Sequence, residues 1–422
     1  MKKILFFIIC LLPFYADCQI YNNPFLNISP DSSLQPRKDL ELGSSYDLSS
    51  SALNSGFYHA LLYEDSISAN AKNGVLQNLK SQNSLGLAMH NDVYYSWKSK
   101  YPNTQFYFDL ASRVQASSTF SPDVYKLLLF GNAQFANQTA EISGAKFNDN
   151  VYETFQFGLY HIFKNADGGS FILGGGIGLV AGTSYAHVDV PRGSLYTSQY
   201  GDSAAIDLKM SAKFANVFAD PSALQAAFEG IGASLNIFGA YQFRNNDILR
   251  FQVADLGFIS WFNGVKSLEI DGKTSSTGAA ITATNGTFTV GNYALFFDSL
   301  GGKFTNLPTI GSYTSVLPFQ VRLMYNKYFS PSFTMALAGE YINDDMPIPE
   351  ISLSANKSFG KLSVRLGFSA FGYSPYAITA GLEYQISRRI SIMLGSRHIE
   401  EFIPSSSSYG QGYYFSLKWK QW

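Results

Sequence analysis

The residues that could carry chemistry in this 422-residue chain are sparse, and their spacing excludes most catalytic centres. The histidines are His59, His90, His161, His187 and His398, widely separated, with none in the His-Glu-x-x-His spacing that sets two imidazoles on one helix face around zinc. Each therefore reads as an interface or loop residue and not as a metal ligand. No Gly-x-Ser-x-Gly elbow and no His-x-Ser pair occurs, so a hydrolase would have to assemble serine, histidine and aspartate from distant segments; geometry permits that, and nothing in the sequence supports it. Gly174-Gly175-Gly176 with Gly178 matches neither the dinucleotide fingerprint nor the P-loop, and no Lys-Ser/Thr follows; such glycines fit a strand that bends or lets another element pack closely. Asp344-Asp345 before Met346-Pro347 has the oxygen chemistry for calcium, but two solvated acids are the expected reading. No catalytic residue, metal or cofactor is expected, and the chain does not read as an enzyme.

One constellation remains, and it depends on strand parity. Arg322, Glu340, Arg365, Glu383 and Arg397 all fall on the polar faces of alternating segments near the C-terminus. Facing one interior, they would be lumen charges, either a structural network of opposite signs or a polar constriction that selects solutes. Asp109 and Arg113 share the corresponding face of an earlier segment, which would extend the network.

The elements that must position these charges are strands of about 10 residues with period-two alternation. In Lys361 to Phe371, Leu362, Val364, Leu366 and Phe368 oppose Ser363, Arg365, Gly367 and Ser369. Tyr376 to Ile386 repeats the pattern after the turn Gly372-Tyr373-Ser374-Pro375, and Ile390, Ile392 and Leu394 follow the tight Arg388-Arg389 connection. Earlier strands are read at Leu40 to Leu48, Phe57 to Tyr63, Ser84 to Trp97, Thr104 to Val114, Val151 to Phe163, Phe171 to Gly182, Gly232 to Arg244 and Ile248 to Ile259. Ser121-Pro122-Asp123 opens a short helix over Val124 to Phe130, Asp220-Pro221 another over Ser222 to Phe228, and Ala69 to Leu79 is a third. Gly264 to Ser315, rich in Gly, Thr, Ser and Asn, has the character of a long extracellular loop.

The ends and the composition supply the location. Lys2 and Lys3 precede an apolar run from Ile4 to Tyr15, and small Ala16 stands three residues before Gln19, so residues 1–18 read as a cleaved signal peptide and 19–422 as the mature domain. The rival, lipid attachment at Cys18, fits poorly with Asp17 before it. Both cysteines, Cys10 and Cys18, lie in the leader, which leaves no mature disulfide. Losing Lys2, Lys3 and Asp17 takes the formal charge from -1 to -2, the wrong sign for a nucleic-acid partner. Charged residues make up 14% where soluble domains carry about 25%, and aromatics reach 16%, yet no later stretch offers a spanning helix. The fold expected is all-β: a transmembrane antiparallel up-and-down β-barrel of about 14 strands with a few short helices, set in outer-membrane lipid. The last strand puts Tyr413, Phe415, Leu417 and Trp419 on one face, the pattern that the barrel-assembly machinery recognises during biogenesis.

At Ala254-Asp255-Leu256-Gly257-Phe258-Ile259-Ser260-Trp261, and again at Leu317-Pro318-Phe319 leading into Val321 to Phe329, the chain resembles an uncharacterised outer-membrane β-barrel family common in Bacteroidota. The layout is also distantly similar to the fatty-acid transporter superfamily of barrels. The resemblance implies a fold and an envelope location, with a sheet segment ending at the Asp-Leu-Gly-aromatic turn; it transfers no substrate. The expected function is a non-enzymatic barrel that transports or shelters a small, hydrophobic molecule. The alternative is a structural or scaffold barrel of an envelope machine for protein secretion or surface motility.

Overall fold

The structure is a computed structural model that describes residues 23–31, 35–64, 66–164, 169–201, 203–215, 229–277, 309–344, 348–403 and 408–422. Within them, alternation of apolar and polar side chains does what it must where one face meets lipid and the other a packed interior: it makes strands. Seventeen join into a single antiparallel sheet. The first nine are β1 (Lys38–Ser50), β2 (Asn83–Lys98), β3 (Thr104–Phe120), β4 (Gln138–Glu141), β5 (Ala145–Lys164), β6 (Ser170–Thr197), β7 (Ser203–Ala215), β8 (Gly230–Gln242) and β9 (Ile248–Thr277). The remainder are β10 (Thr309–Val316), β11 (Gln320–Ser330), β12 (Phe333–Ile342), β13 (Ile348–Phe359), β14 (Leu362–Ala370), β15 (Tyr376–Gln385), β16 (Ile390–Ser396) and β17 (Gly410–Gln421).

The sheet closes on itself because β17 pairs with β1, from Lys38 opposite Gln421 to Ser49 opposite Gly410. The ring runs β1, β2, β3, β5, β6, β8, β9 and then β11 to β17 in order, which makes 14 strands. The remaining three lie outside it. β7 pairs with the last halves of β6 and β9, β4 with the end of β6, and β10 with β9 beyond its bend. Strands β5, β6 and β9, at 20, 28 and 30 residues, are far longer than the 9–11 or so that cross a bilayer. Their excess forms, with β7 and β10, a sheet that projects beyond the ring.

Outward residues are apolar around the ring: Phe157 and Ile177 on β5 and β6, Leu323, Leu337, Leu353, Leu366, Leu382 and Leu394 on β11 to β16 are all exposed. No helix among the described residues is long and apolar enough to cross a membrane. The end of the ring that holds Lys38 and Gln421 also holds two-residue connections, Pro331-Ser332 and Gly360-Lys361. The opposite end carries the long connections and three helices, α1 (Ser55–Tyr63), α2 (Ala69–Leu76) and α3 (Pro122–Phe130). The helices share a buried cluster with the strand ends through Leu48, Phe57, Tyr58, Val75, Phe120 and Tyr125.

Several expectations are corrected. Phe57 to Tyr63 is helical, not a strand: the Asn54 side chain accepts from the Phe57 amide at 3.0 Å, and Phe57, Tyr58 and Ala60 are buried together, which alternation cannot achieve. Gly264 to Ser315 is not one irregular loop, since β9 continues to Thr277 and β10 starts at Thr309. Nor does Ala254 to Trp261 end a strand. There β9 bends: Asp255 takes φ 58°, a bulge falls opposite between Leu235 and Ile237, and the neighbour changes from β11 at Ala254 to β10 at Phe258. Leu317, fully buried, fills the gap between β10 and β11 and donates its amide to the Gly257 carbonyl at 3.0 Å. Helix starts at Ser121-Pro122 and Ser68-Ala69 are as expected, each with its serine hydroxyl accepting from a first-turn amide. The signal peptide, Cys18 and the helix at Ser222 to Phe228 lie outside the described residues.

Candidate functional site

The interior of the ring is occupied by the chain's own N-terminal segment. Residues 23–31, with 35 and 36, precede β1 at the short-turn end and lie in the lumen. Phe25 and Leu26, on a single 3-10 turn, point to opposite walls. Phe25 sits in an aromatic box, with ring centroids 5.4 Å from Tyr94, 5.1 Å from Tyr107 and 5.0 Å from Phe238, mostly edge-on or tilted as ring quadrupoles prefer. Leu26 packs with Met324, Ala336, Ala338, Met393 and Tyr414. Polar ties complete the hold: Asn23 Nδ2 donates to Gln252 Oε1 at 2.7 Å, Arg250 Nη1 to the Ile28 carbonyl at 2.6 Å, and the Tyr160 hydroxyl and Gln105 amide to Gln35 Oε1 at 3.2 Å each.

The glycine run explains how the box fits. Gly174, Gly176 and Gly178 are the inward positions of β6, so that strand presents bare backbone to the lumen. A Cβ on Gly176 would meet the Tyr107 hydroxyl, and one on Gly174 the Phe238 ring. The same absence of side chains lets Asn236 Nδ2 reach across β6 to Gln156 Oε1 at 3.2 Å.

Arg322 and Glu340, two of the five charges expected in the lumen, form a buried ion pair at 2.6 Å between β11 and β12. Arg322 Nη1 also donates to Gln252 Oε1 at 3.2 Å, the atom that holds Asn23, so this pair orients an anchor of the N-terminal segment. Gln252 in turn donates to Asn236 at 3.3 Å. Arg397 adjoins that pair, lining one cavity with Glu340, Glu350 and Asp47. It pairs with Glu350 and, at 3.6 Å, with Asp47. Arg365 lines a cavity with Arg250, and Glu383 acts electrostatically on Lys418, which pairs with Glu41 at 3.0 Å. Residues of β11 and β12 line cavities with both Arg365 and Arg397, so the interior charges adjoin one another around the lumen without forming one ladder of direct pairs. Arg113, with Asp92 at 2.6 Å and Asp255 at 3.8 Å, lies beside buried Asp109 and His90 and lines one cavity with Arg322. A cavity of about 30 Å³, enough for ordered water, lies between this cluster, Asn23 and Phe25.

His398, in the connection that follows β16, is fully buried, with Nε2 3.2 Å from Asp47 and Nδ1 3.0 Å from Glu400. Both ring nitrogens are engaged, and no group of described residues is arranged to hold a metal. Asp344 is not a solvated acid, since it is buried and accepts from Ser117 and Asn148; Asp345 lies outside the described residues. Sequence reading missed the N-terminal segment, Glu350 and Asp47. Asp47 could have been found, because it shares inward parity with Glu41 and Ser45 on β1. Tyr413, Phe415, Leu417 and Trp419 share the less buried face of β17, opposite Tyr414 and Ser416, and stand opposite Tyr46, Ser44, Leu42 and Leu40 of β1.

Residues 41–396 match a family described as "Family of unknown function (DUF5723)". No curated protein matches the chain. Among solved structures, the TodX monoaromatic hydrocarbon channel deltaS2 mutant is 12% identical, with 97% of this chain and 96% of that one covered and a TM-score of 0.50. The Pseudomonas putida toluene transporter TodX is 12% identical over 96% and 92% of the two chains with a TM-score of 0.43. A Pseudomonas aeruginosa FadL homologue is 12% identical over 96% and 94%, also at 0.43. At such identities the likeness concerns the fold alone.

Proposed function

This chain belongs to the DUF5723 family, and we propose that it is an outer-membrane conduit for a small hydrophobic molecule, stoppered by its own residues 23–31. The observation that carries the reading is the N-terminal segment held inside a closed ring by one aromatic box, one apolar patch and a few hydrogen bonds. A scaffold needs no stopper that is continuous with the chain end and only locally tied. The apolar outward band supports an outer-membrane setting, and the short turns beside Lys38 and Gln421, opposite the long connections, support a periplasmic orientation for that end of the ring. The structural neighbours whose names include toluene and monoaromatic hydrocarbon transport share the overall fold, and they suggest the class of cargo to try first.

The test is a reversible tether. Cysteines replacing Asn23 and Gln252, whose side chains touch, are oxidised in the purified barrel and toluene entry into proteoliposomes is followed. The reading expects entry above the empty-vesicle rate in the reduced protein and a drop to that rate on oxidation. Entry that ignores the tether would reject the stopper. No entry in either state, with a protein partner recovered from detergent extracts, would favour a scaffold barrel.

A further inference from the structure

A cavity of about 260 Å³ lies at the long-connection end of the ring, between the β5–β6 wall, the link from β10 to β11 and the end of β12. Asn148 and Asn150 of β5 line it, with His187 and Tyr185 standing opposite them on β6. Both asparagines are buried, and the side-chain oxygen of each has no hydrogen-bond donor among the described residues. Asn148 donates its amide to Asp344, whose carboxylate also accepts from Ser117. The Tyr185 ring centroid lies 5.6 Å from that of Trp261 and 5.5 Å from that of Tyr313, and Trp261 Nε1 donates to Ser315 Oγ at 2.9 Å, so the aromatic wall is held in place. The Lys213 ammonium stands 4.2 Å from the centre of the Tyr313 ring.

A buried carbonyl oxygen without a donor is unfavourable, because it has given up its hydrogen bonds to water and gained none. Two such oxygens line this one cavity from alternate positions of a strand, whose Cα atoms lie about 7 Å apart. A ligand that brings two donors over that span would satisfy both. Charge narrows the class. Among the described residues that line the cavity the one carboxylate, Asp344, is already engaged, and Lys213 already supplies a cation to Tyr313. Neutral hydroxyls therefore suit the site better than an ammonium, and aromatic carbon beside hydrogen-bond acceptors suits the C–H side of a sugar ring. We propose that this cavity binds a neutral sugar ring, its hydroxyls donating to Asn148 and Asn150 and its carbon side packed against Tyr185 and Tyr313.

The full mature chain is folded in micelles of lauryldimethylamine oxide, so that no glycoside detergent competes, and titrated with the methyl glycosides of glucose, galactose and mannose under saturation-transfer NMR. At least one is expected to bind saturably. Asn150→Leu removes an oxygen that holds nothing among the described residues, so the barrel should unfold no more readily while glycoside binding weakens roughly tenfold, the loss of one buried hydrogen bond. Tyr313→Leu, which takes away part of the aromatic wall, should weaken binding several-fold. Asn356→Leu, an amide that lines a different cavity from β13, should leave it unchanged. Binding of none of the three glycosides would overturn the proposal, and so would undiminished binding in either cavity variant that keeps a folded barrel's heat-modifiable mobility. Tetramethylammonium that binds where the glycosides do not would overturn it in favour of a cation.

Discussion

A single turn shows how much one side chain can hold. Asp247, in the connection between β8 and β9, accepts from the Tyr325 hydroxyl at 2.6 Å, the Lys327 ammonium at 3.0 Å, the Tyr328 amide at 3.0 Å and the Asn245 amide at 2.8 Å. The Tyr325 hydrogen bond is the largest influence pulling its carboxyl down to about 2, helped by the Tyr328 amide and Lys327. A depressed folded value means that the ionised carboxylate stabilises the fold above its ordinary value of 3.8 and stops doing so as the pH falls through about 2. Asp247→Asn should therefore unfold at lower denaturant than the parent at neutral pH. The difference should shrink from about pH 4 and be lost as the pH falls through about 2. A constant difference across that range, read from denaturant midpoints, would mean that the carboxylate's charge contributes nothing there.

At the scale of elements, β6 is the part whose composition is tuned to its neighbours. Glycines at successive inward positions cost backbone entropy, as glycine in a strand interior does. In return they seat Tyr107 and Phe238, and through them Phe25. Gly176→Ala would place a methyl against the Tyr107 hydroxyl and 2.8 Å from the Phe157 carbonyl oxygen, and should cost about 1–3 kcal/mol, as overpacking does. Gly311→Ala, where a Cβ meets nothing within 4 Å, is the matched control and should be near neutral. Equal unfolding midpoints for the two variants would contradict this account of the stripe. The variant should also disturb the aromatic box and so loosen the N-terminal segment, seen as faster proteolysis ahead of β1.

For the molecule as a whole, the outward apolar band is a statement about solvent. Leu366, 59% exposed on β14, makes sense only against hydrocarbon. Leu366→Arg should cost about 2–4 kcal/mol in a bilayer if the position lies near the midplane, measured by guanidinium titration of the barrel refolding into liposomes. Little cost would place that face in water and remove the basis for a membrane barrel. The ring's seam between β17 and β1 has the same logic: a sheet edge in hydrocarbon would leave backbone groups without partners, so closure is obligatory.

Much of this architecture was legible in the linear chain, because lipid on one face and a packed polar interior on the other impose a period of two. Alternation located β14 to β17 and most of the N-terminal ring strands, and about 14 strands were expected where the ring has 14. Parity also picked out Arg322 and Glu340, which the register sets directly opposite each other. Alternation is a local signal, and it was silent on everything set by contacts between distant residues. It did not show that Phe25 and Leu26 turn back into the lumen, since they are committed by walls supplied from strands far apart in the chain, among them β2, β3, β8, β11, β12, β16 and β17. It did not assign Arg397 to Asp47 and Glu350, because that requires the seam that brings the first and last strands together. The sequence by itself determined that a barrel must form and which face of each strand meets lipid. Tertiary structure alone decided what fills the barrel, for a lumen exists only after the last strand has paired with the first.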